Sequence, residues 1–257
     1  MVPLRARRRS GRLGSFLPSA RSLSVGIALV VVAAGAYALA RGTSLFALET
    51  VRITGGTPAI ARQVRDVLDR DRGSSLLALD AGLLGRVEAL PEVRSASYDR
   101  AFPHTLVVTV RRELPAAVLR RGGDSWLLSE RGRVLRPLPR AAHPRLPRVW
   151  AVDGPLPTAG DLLVQRGVAA PMRIVGAIPE GFPVRVRSVA LERGLGLLVL
   201  DGGLELRLGE PTDLAAKLAV AAAVLPELER TADGGPDYLD VSLPERPVSG
   251  ANPQLAA

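Results

Sequence analysis

With 257 residues, 47% of them hydrophobic, 4% aromatic and none cysteine, the chain can bury a core of one or two domains but holds no disulfide and no thiolate-built metal site. Its formal charge of +9 is unevenly spread: Arg5, Arg7, Arg8, Arg9, Arg12 and Arg21 supply six of it, so the remainder carries only +3. That balance, with so few aromatics and no basic helix interleaved with them, excludes a base-stacking nucleic-acid surface.

Residues 22–40 run nineteen in a row without a charge. As a helix they reach about 28 Å, close to the ~30 Å hydrocarbon thickness of a bilayer, so they can cross it once. The arginines before them have no acidic residue among them, and short arginine-rich flanks stay on the cytoplasmic side. Residues 1–21 are therefore expected as a basic cytoplasmic tail, 22–40 as a transmembrane helix, and the rest as exported. A cleavable secretory signal competes with the anchor, because a basic segment, an apolar run and the small-x-small sequence Ala38-Leu39-Ala40 also describe one, although about 7–15 apolar residues suffice there. Arg7-Arg8-Arg9-Ser10 reads as a juxtamembrane basic tail, since the residues after it do not follow the twin-arginine pattern.

Beyond the span, Val51 and Ile53 alternate with polar neighbours up to Gly55-Gly56, which predicts a short strand. Thr57 then caps, and Pro58 opens, a helix with Ile60, Val64, Val67 and Leu68 along one face. A second helix is expected over 80–90, burying Leu83, Leu84, Val87 and Leu90 before Pro91 stops it. Strands over 93–100 and 105–112 follow, the latter alternating Leu106, Val108 and Val110 with Val107, Thr109 and Arg111. The order is strand, helix, helix, strand, strand.

Four motifs in that order carry a resemblance: Leu48-x-x-Val51-x-Ile53-x-Gly55; Ser75-Leu76-Leu77-x-Leu79-Asp80; Leu90-Pro91-x-Val93-x-x-Ala96; and Arg100-x-Phe102-Pro103-His104-Thr105-Leu106 running into Val108-x-Val110. Behind a single amino-terminal span they resemble the FtsQ/DivIB family of bacterial cell-division proteins, whose first exported domain has the polypeptide-transport-associated (POTRA) fold. Because the resemblance begins at Leu48, just past Arg41, it implies a retained anchor feeding directly into the first strand. One departure is Arg112-Glu113-Leu114-Pro115, where the family has Glu then Arg before the proline; on an exposed strand end that swap is expected to cost little.

The second half extends the resemblance. Residues 126–135 read as two strands about a Glu130-Arg131-Gly132 turn, and 136–160, rich in Pro and Arg, as a surface excursion. A helix is expected over 159–178, interrupted or kinked at Pro171. Strands over 184–191, 195–200 and 204–208 come next, the last two joined by Asp201-Gly202-Gly203, and then a helix over 211–228 with Leu214, Leu218, Ala221 and Leu225 on one face. In the closing segment, Leu239, Val241 and Leu243 point one way and Tyr238, Asp240 and Ser242 the other. An ordinary terminal strand would show the same alternation.

The resemblance implies more for this segment. In the family the last strand lies at a sheet edge and pairs with a segment of the partner FtsB, which travels with FtsL. Its unpaired N–H and C=O groups supply the pairing, and alternating side chains choose the partner. Tyr238, Leu239, Asp240, Val241, Ser242 and Leu243 are accordingly the expected partner-binding residues, with Ser242 standing where the family commonly has Arg.

Catalysis has no support in the motifs. His104 and His143 are the only histidines, one in a turn and one in the Pro/Arg-rich stretch, and no metalloprotease, phosphate-loop or nucleophile-elbow motif is present. Gly194-Leu195-Gly196 reads as a strand entry, and Glu130 and Asp240 as surface polar groups. The expectation is thus an α+β protein without enzymatic activity, cofactor or metal: a single amino-terminal transmembrane helix, a POTRA-like domain over 46–115, a mostly β domain over 116–243 with a C-terminal helix and an edge strand, and a flexible tail over 244–257. By resemblance it is a divisome scaffold in the cytoplasmic membrane at the septum, bound to FtsB- and FtsL-type bitopic proteins and other divisome components. Two other classes are a POTRA-bearing export or transport accessory, which would carry repeated domains or a barrel, and an exported enzyme with an unrecognised site.

Overall fold

The computed structural model describes residues 20–80, 82–139, 142, 145–150, 155–231 and 235–252. They form a mixed α+β fold that divides into two compact bodies. The first comprises the described part of 1–50 with 71–79 and 100–106. It contains helix α1 (Ala20–Gly42), which exceeds the expected span by two residues at each end. Residues 23–42 of it are long and apolar enough to cross a membrane, and none of that stretch is buried by the protein. A single 3₁₀ turn (Ser44–Phe46) follows, and the chain then pairs through Ala47 with Ser75. The Leu48 N–H donates to Ser74 O at 2.9 Å, and Gly73 N–H donates back to Leu48 O at 3.0 Å.

The second body holds everything else, beginning with most of a three-stranded sheet, β1 (Thr50–Thr54), β2 (Val93–Ala101) and β3 (Thr105–Arg112), in the order β1-β3-β2. Gly55 ends β1 with φ +78°, and a Cβ there would fall 2.2 Å from the Val110 carbonyl oxygen, so only glycine lets the strand turn against its neighbour. Helix α2 (Pro58–Leu68) is capped as expected: Thr57 Oγ1 accepts from the Ile60 N–H at 3.3 Å, and Ile60, Val64 and Leu68 are buried. Helix α3 (Gly82–Glu88) is shorter than expected and buries Leu83 and Val87.

The remaining strands form one nine-stranded sheet. They are β4 (Pro115–Arg121), β5 (Asp124–Ser129), β6 (Val134–Leu138), β7 (Arg148–Trp150), β8 (Val186–Glu192), β9 (Leu195–Leu200), β10 (Glu205–Gly209), β11 (Tyr238–Asp240) and β12 (Val248–Gly250), in the order β12-β11-β10-β9-β8-β7-β4-β5-β6. Helix α4 (Arg166–Ala177) connects the parallel neighbours β7 and β8, and helix α5 (Leu214–Thr231) connects the parallel neighbours β10 and β11. Such crossovers lay helices on a sheet face. Here Val168, Met172 and Ile174 of α4 and Leu218, Ala221 and Leu225 of α5 join Leu198, Leu206, Leu239 and Val241 in one core.

Several expectations are corrected. Helix α4 begins at Arg166 and not near 159, because Gly160 takes φ +101° and Asp161 accepts hydrogen bonds from Thr158, which hold this stretch as a turn. The helix then runs through Pro171, which is buried, without interruption. Glu113 is not on an exposed strand end: it is 4% exposed, and its Oε1 accepts from the Arg131 Nε at 3.2 Å. Nearby, Arg133 Nη2 donates to Glu88 O and Ala89 O at 3.1 and 3.2 Å, satisfying carbonyls at the end of α3. Finally, part of the segment expected as a flexible tail is ordered. Pro244 to Pro247 turns the chain, and Val248–Gly250 adds antiparallel to β11 as the outermost strand.

Candidate partner-binding sheet edge

The carboxyl-terminal end of the large sheet is built outward from β10. Leu206 and Leu208 bury one face of that strand, while Glu205, Arg207 and Gly209 stand on the other. Strand β11 joins in parallel register, Glu205 opposite Tyr238 and Arg207 opposite Asp240, and the Val241 N–H continues the ladder to Arg207 O at 2.9 Å. The Ser242 N–H turns instead to Asp240 Oδ1 at 2.8 Å, a local bond that ends the strand. Gly209 is required beside it: at φ +65° a Cβ would approach the Ser242 Cβ to 2.7 Å.

Six residues were expected to bind a partner, and the structure separates them. Leu239 and Val241 are fully buried in the helix-covered core and cannot be touched from outside. Tyr238, Asp240 and Ser242 are half-buried on the opposite face, and Leu243, past the strand, is 63% exposed. The backbone edge of β11 is itself occupied, by β12, with Tyr238 opposite Gly250 and Asp240 opposite Val248. The outermost strand at this end of the sheet, among the described residues, is therefore β12, where Val248 is 54% exposed.

Arg207, which the alternation alone did not single out, holds this end together. Its Nη2 donates to Glu205 Oε2 at 3.1 Å and to Asn252 Oδ1 at 2.6 Å, and its guanidinium carbon lies 3.9 Å from the Tyr238 ring centroid. The Asn252 N–H in turn donates to Asp237 Oδ2 at 2.7 Å, and the Asp237 N–H to Gly250 O at 2.9 Å. A Cβ on Gly250 would sit 2.8 Å from the Tyr238 hydroxyl oxygen, so the glycine leaves the space the ring fills. Pro244, Pro247 and Gly250 are the sequence signals for this return strand, but three residues between turns are too short for periodicity to register.

Beside the edge, the outer face of β9, β10 and β11 forms an open groove of about 950 Å³, lined among others by Leu195, Leu197, Arg207, Asp240 and Leu243. Its charged groups are of both signs, and Lys217, 5% exposed, spends its ammonium on Glu210 O at 2.8 Å. At the β9–β10 turn, Arg185 grips Asp201 through Nε to Oδ2 at 2.7 Å and Nη2 to Oδ1 at 2.9 Å. The hydrogen bond from Arg185 holds the Asp201 carboxyl below its ordinary value of 3.8. The other polar candidates are engaged locally: His104 Nδ1 is 3.1 Å from Ala47 O, and Glu130 is 3.9 Å from Arg94. His143 lies outside the described residues.

Two family profiles match the chain. Residues 117–242 match the one described as cell division protein FtsQ/DivIB, C-terminal, and residues 46–112 the one described as POTRA domain, FtsQ-type. Among curated relatives, the cell division protein FtsQ of Syntrophotalea carbinolica is 24% identical over 85% of this chain and 78% of its own length. The FtsQ of Streptomyces bingchenggensis is 25% identical over 90% of this chain and 87% of its own. A solved structure of the major extracytoplasmic domain of the trans isomer of DivIB from Geobacillus stearothermophilus covers 48% of this chain and 99% of that one, at 16% identity and a TM-score of 0.33.

Proposed function

Because the chain belongs to the FtsQ/DivIB family of bacterial cell-division proteins, we propose that it is a non-enzymatic divisome scaffold that binds the FtsB–FtsL pair at the septum and so helps control septal peptidoglycan synthesis. In this reading one span anchors it in the cytoplasmic membrane, with the arginine-rich amino terminus in the cytoplasm and the POTRA-like (46–115) and β (116–243, continued by β12) domains outside. The observation that carries the partner site is the outer edge of β12 with exposed Val248 and Leu243 beside it. An extended partner segment adds there as a further strand, its backbone paired to β12 and its side chains reaching Leu243 and the groove next to Tyr238 and Asp240.

Anchoring in the same membrane as bitopic partners raises the effective concentration at this edge, so a short strand addition suffices for capture. A proline at Val241 is a poor test, because that N–H belongs to the protein's own ladder. Leu243→Glu with Val248→Lys leaves the ladder and core intact and changes only exposed side chains. Co-purification of FtsB and FtsL from membranes is expected to be lost in this double variant while the protein still inserts. Unchanged co-purification would overturn the edge assignment.

A further inference from the structure

The first compact body carries an apolar lip that neither the core nor the sheet edge uses. Leu45 is 65% and Phe102 52% exposed, and the Phe46 and Phe102 rings meet edge to face with centroids 5.4 Å apart. Phe102 belongs to the turn between β2 and β3, some fifty residues further along, and that turn is bolted to the segment leaving the span. The His104 carbonyl accepts from the Glu49 and Thr50 N–H groups at 3.0 and 3.1 Å, and the His104 ring reaches Ala47 O at 3.1 Å. The turn Leu76–Ala78 of the same body lies against α1.

The tether decides what this lip meets. From Gly42, the end of α1, to Phe46 is four residues, which at about 3.6 Å each reach at most about 14 Å. The 3₁₀ turn at Ser44–Phe46 shortens that reach. A bilayer's polar layer is about 5–8 Å deep on each side of the hydrocarbon, and the 3₁₀ turn cuts the reach to about 10 Å, so Phe46, and Phe102 stacked on it, stand within the headgroups or at their outer boundary when α1 spans. Tyr37, 52% exposed near the end of the same helix, marks that boundary as interfacial aromatics do, and Arg41 can extend its guanidinium to the phosphates while its stem stays apolar.

We infer that Leu45, Phe46 and Phe102 form a lipid-seated lip, which buries its apolar side chains in the membrane interface and so fixes the first compact body against the bilayer. This rests on the reading of α1 as a retained span, but not on which side of the membrane the lip faces. A protein partner or a second copy would need to enter a layer that the tether already fills with headgroups. The apolar faces of interfacial segments seat at this depth, at the boundary of headgroups and acyl chains.

The absence of cysteine makes the test direct, because one introduced thiol carries the only label. Leu45→Cys and Phe102→Cys are each spin-labelled in the full chain and reconstituted in phosphatidylethanolamine–phosphatidylglycerol vesicles, with Val30→Cys as the span reference and Asp124→Cys, at the exposed first residue of β5, as the aqueous one. At 45 and 102 the label's collisions with a water-soluble nickel relaxant are expected to fall severalfold below those at 124, and its collisions with oxygen to rise toward those at 30. Water-like values at both sites with a lipid-like value at 30 overturn the lip and leave the span. Water-like values at 30 as well overturn both. Spin–spin broadening at 45 or 102 that disappears on dilution with unlabelled protein assigns the lip to a second copy and also overturns the proposal. Phe46 is left unmodified throughout, so either variant can be read without the other.

Discussion

At the β4-β5-β6 end of the large sheet both faces are covered. Ala117, Leu119, Trp126 and Leu128 enter the main core on one side, while Val118, Leu127, Leu135 and Leu138 form a second cluster on the other, packed under Ala142 and Leu146 of the Pro/Arg-rich excursion. At the β9-β10-β11 end only the helix-facing side is closed. There Leu198, Leu206, Leu239 and Val241 are buried, but Leu195 is 50% exposed and Leu197, Val199 and Tyr238 are half-buried, with no second layer over them among the described residues. The same alternation of apolar residues thus yields a second core cluster at one end and an uncovered face at the other. What differs is whether a connecting segment of the chain returns across the outer face.

Substitutions at outward-facing leucines break this comparison most sharply. Leu127→Ala, at the covered end, should cost about 2–5 kcal/mol, since the cavity forms inside a closed cluster. Chemical denaturation of the full chain in detergent measures it, and a loss no greater than that of a surface change would mean the excursion does not seal this face. Gly209→Ala comes next. The positive φ and the 2.7 Å approach to Ser242 predict a loss of about 1–3 kcal/mol, with faster hydrogen exchange at the Val241 amide as β11 lifts from β10. Leu197→Ala, at the open end, should change stability by under about 1 kcal/mol yet weaken capture of the partner pair. A stability loss equal to that of Leu127→Ala would show that the open face is in fact covered.

The smallest effect is electrostatic and confined to acid. Asp201 has a folded-state pKa depressed chiefly by its hydrogen bond with Arg185, so the pair contributes stability above the ordinary value of 3.8 and loses it as pH falls through the lower folded value. Arg185→Gln should therefore lower the thermal midpoint slightly at neutral pH, and the two proteins should converge as pH is taken below 3.8. Both groups are solvent-exposed, which keeps the difference small.

Much of the fold was legible because its signals are local. The Thr57-Pro58 helix start, the apolar stripe of α2, the alternation of β3 and the Asp201-Gly202-Gly203 hairpin each depend on neighbours a few residues away. The strands that escaped notice lack such signals. Strand β4 is a short apolar run without alternation, and β7 and β12 are three residues each, so they become strands only by pairing with partners distant in sequence. Glu113 was misread for the same reason: nothing local tells that Arg131 will arrive beside it. The candidate site was legible as far as its alternation, which divided Leu239 and Val241 from Tyr238, Asp240 and Ser242 but wrongly grouped Leu243 with the buried pair, since the strand ends before it and leaves it exposed.

By itself the sequence determined a single uncharged segment of membrane-spanning length behind an arginine tail, the strand-helix-helix-strand-strand order that follows it, and membership of the FtsQ/DivIB family, because length, charge and periodicity act within one segment at a time. Tertiary structure alone decided that β12 and not β11 is the outermost strand at its end of the sheet, that Leu239 and Val241 face the core, and that Phe102 comes to rest on Phe46. Each of these depends on which distant backbone or ring fills a space first, and packing settles that competition only when the whole chain has closed.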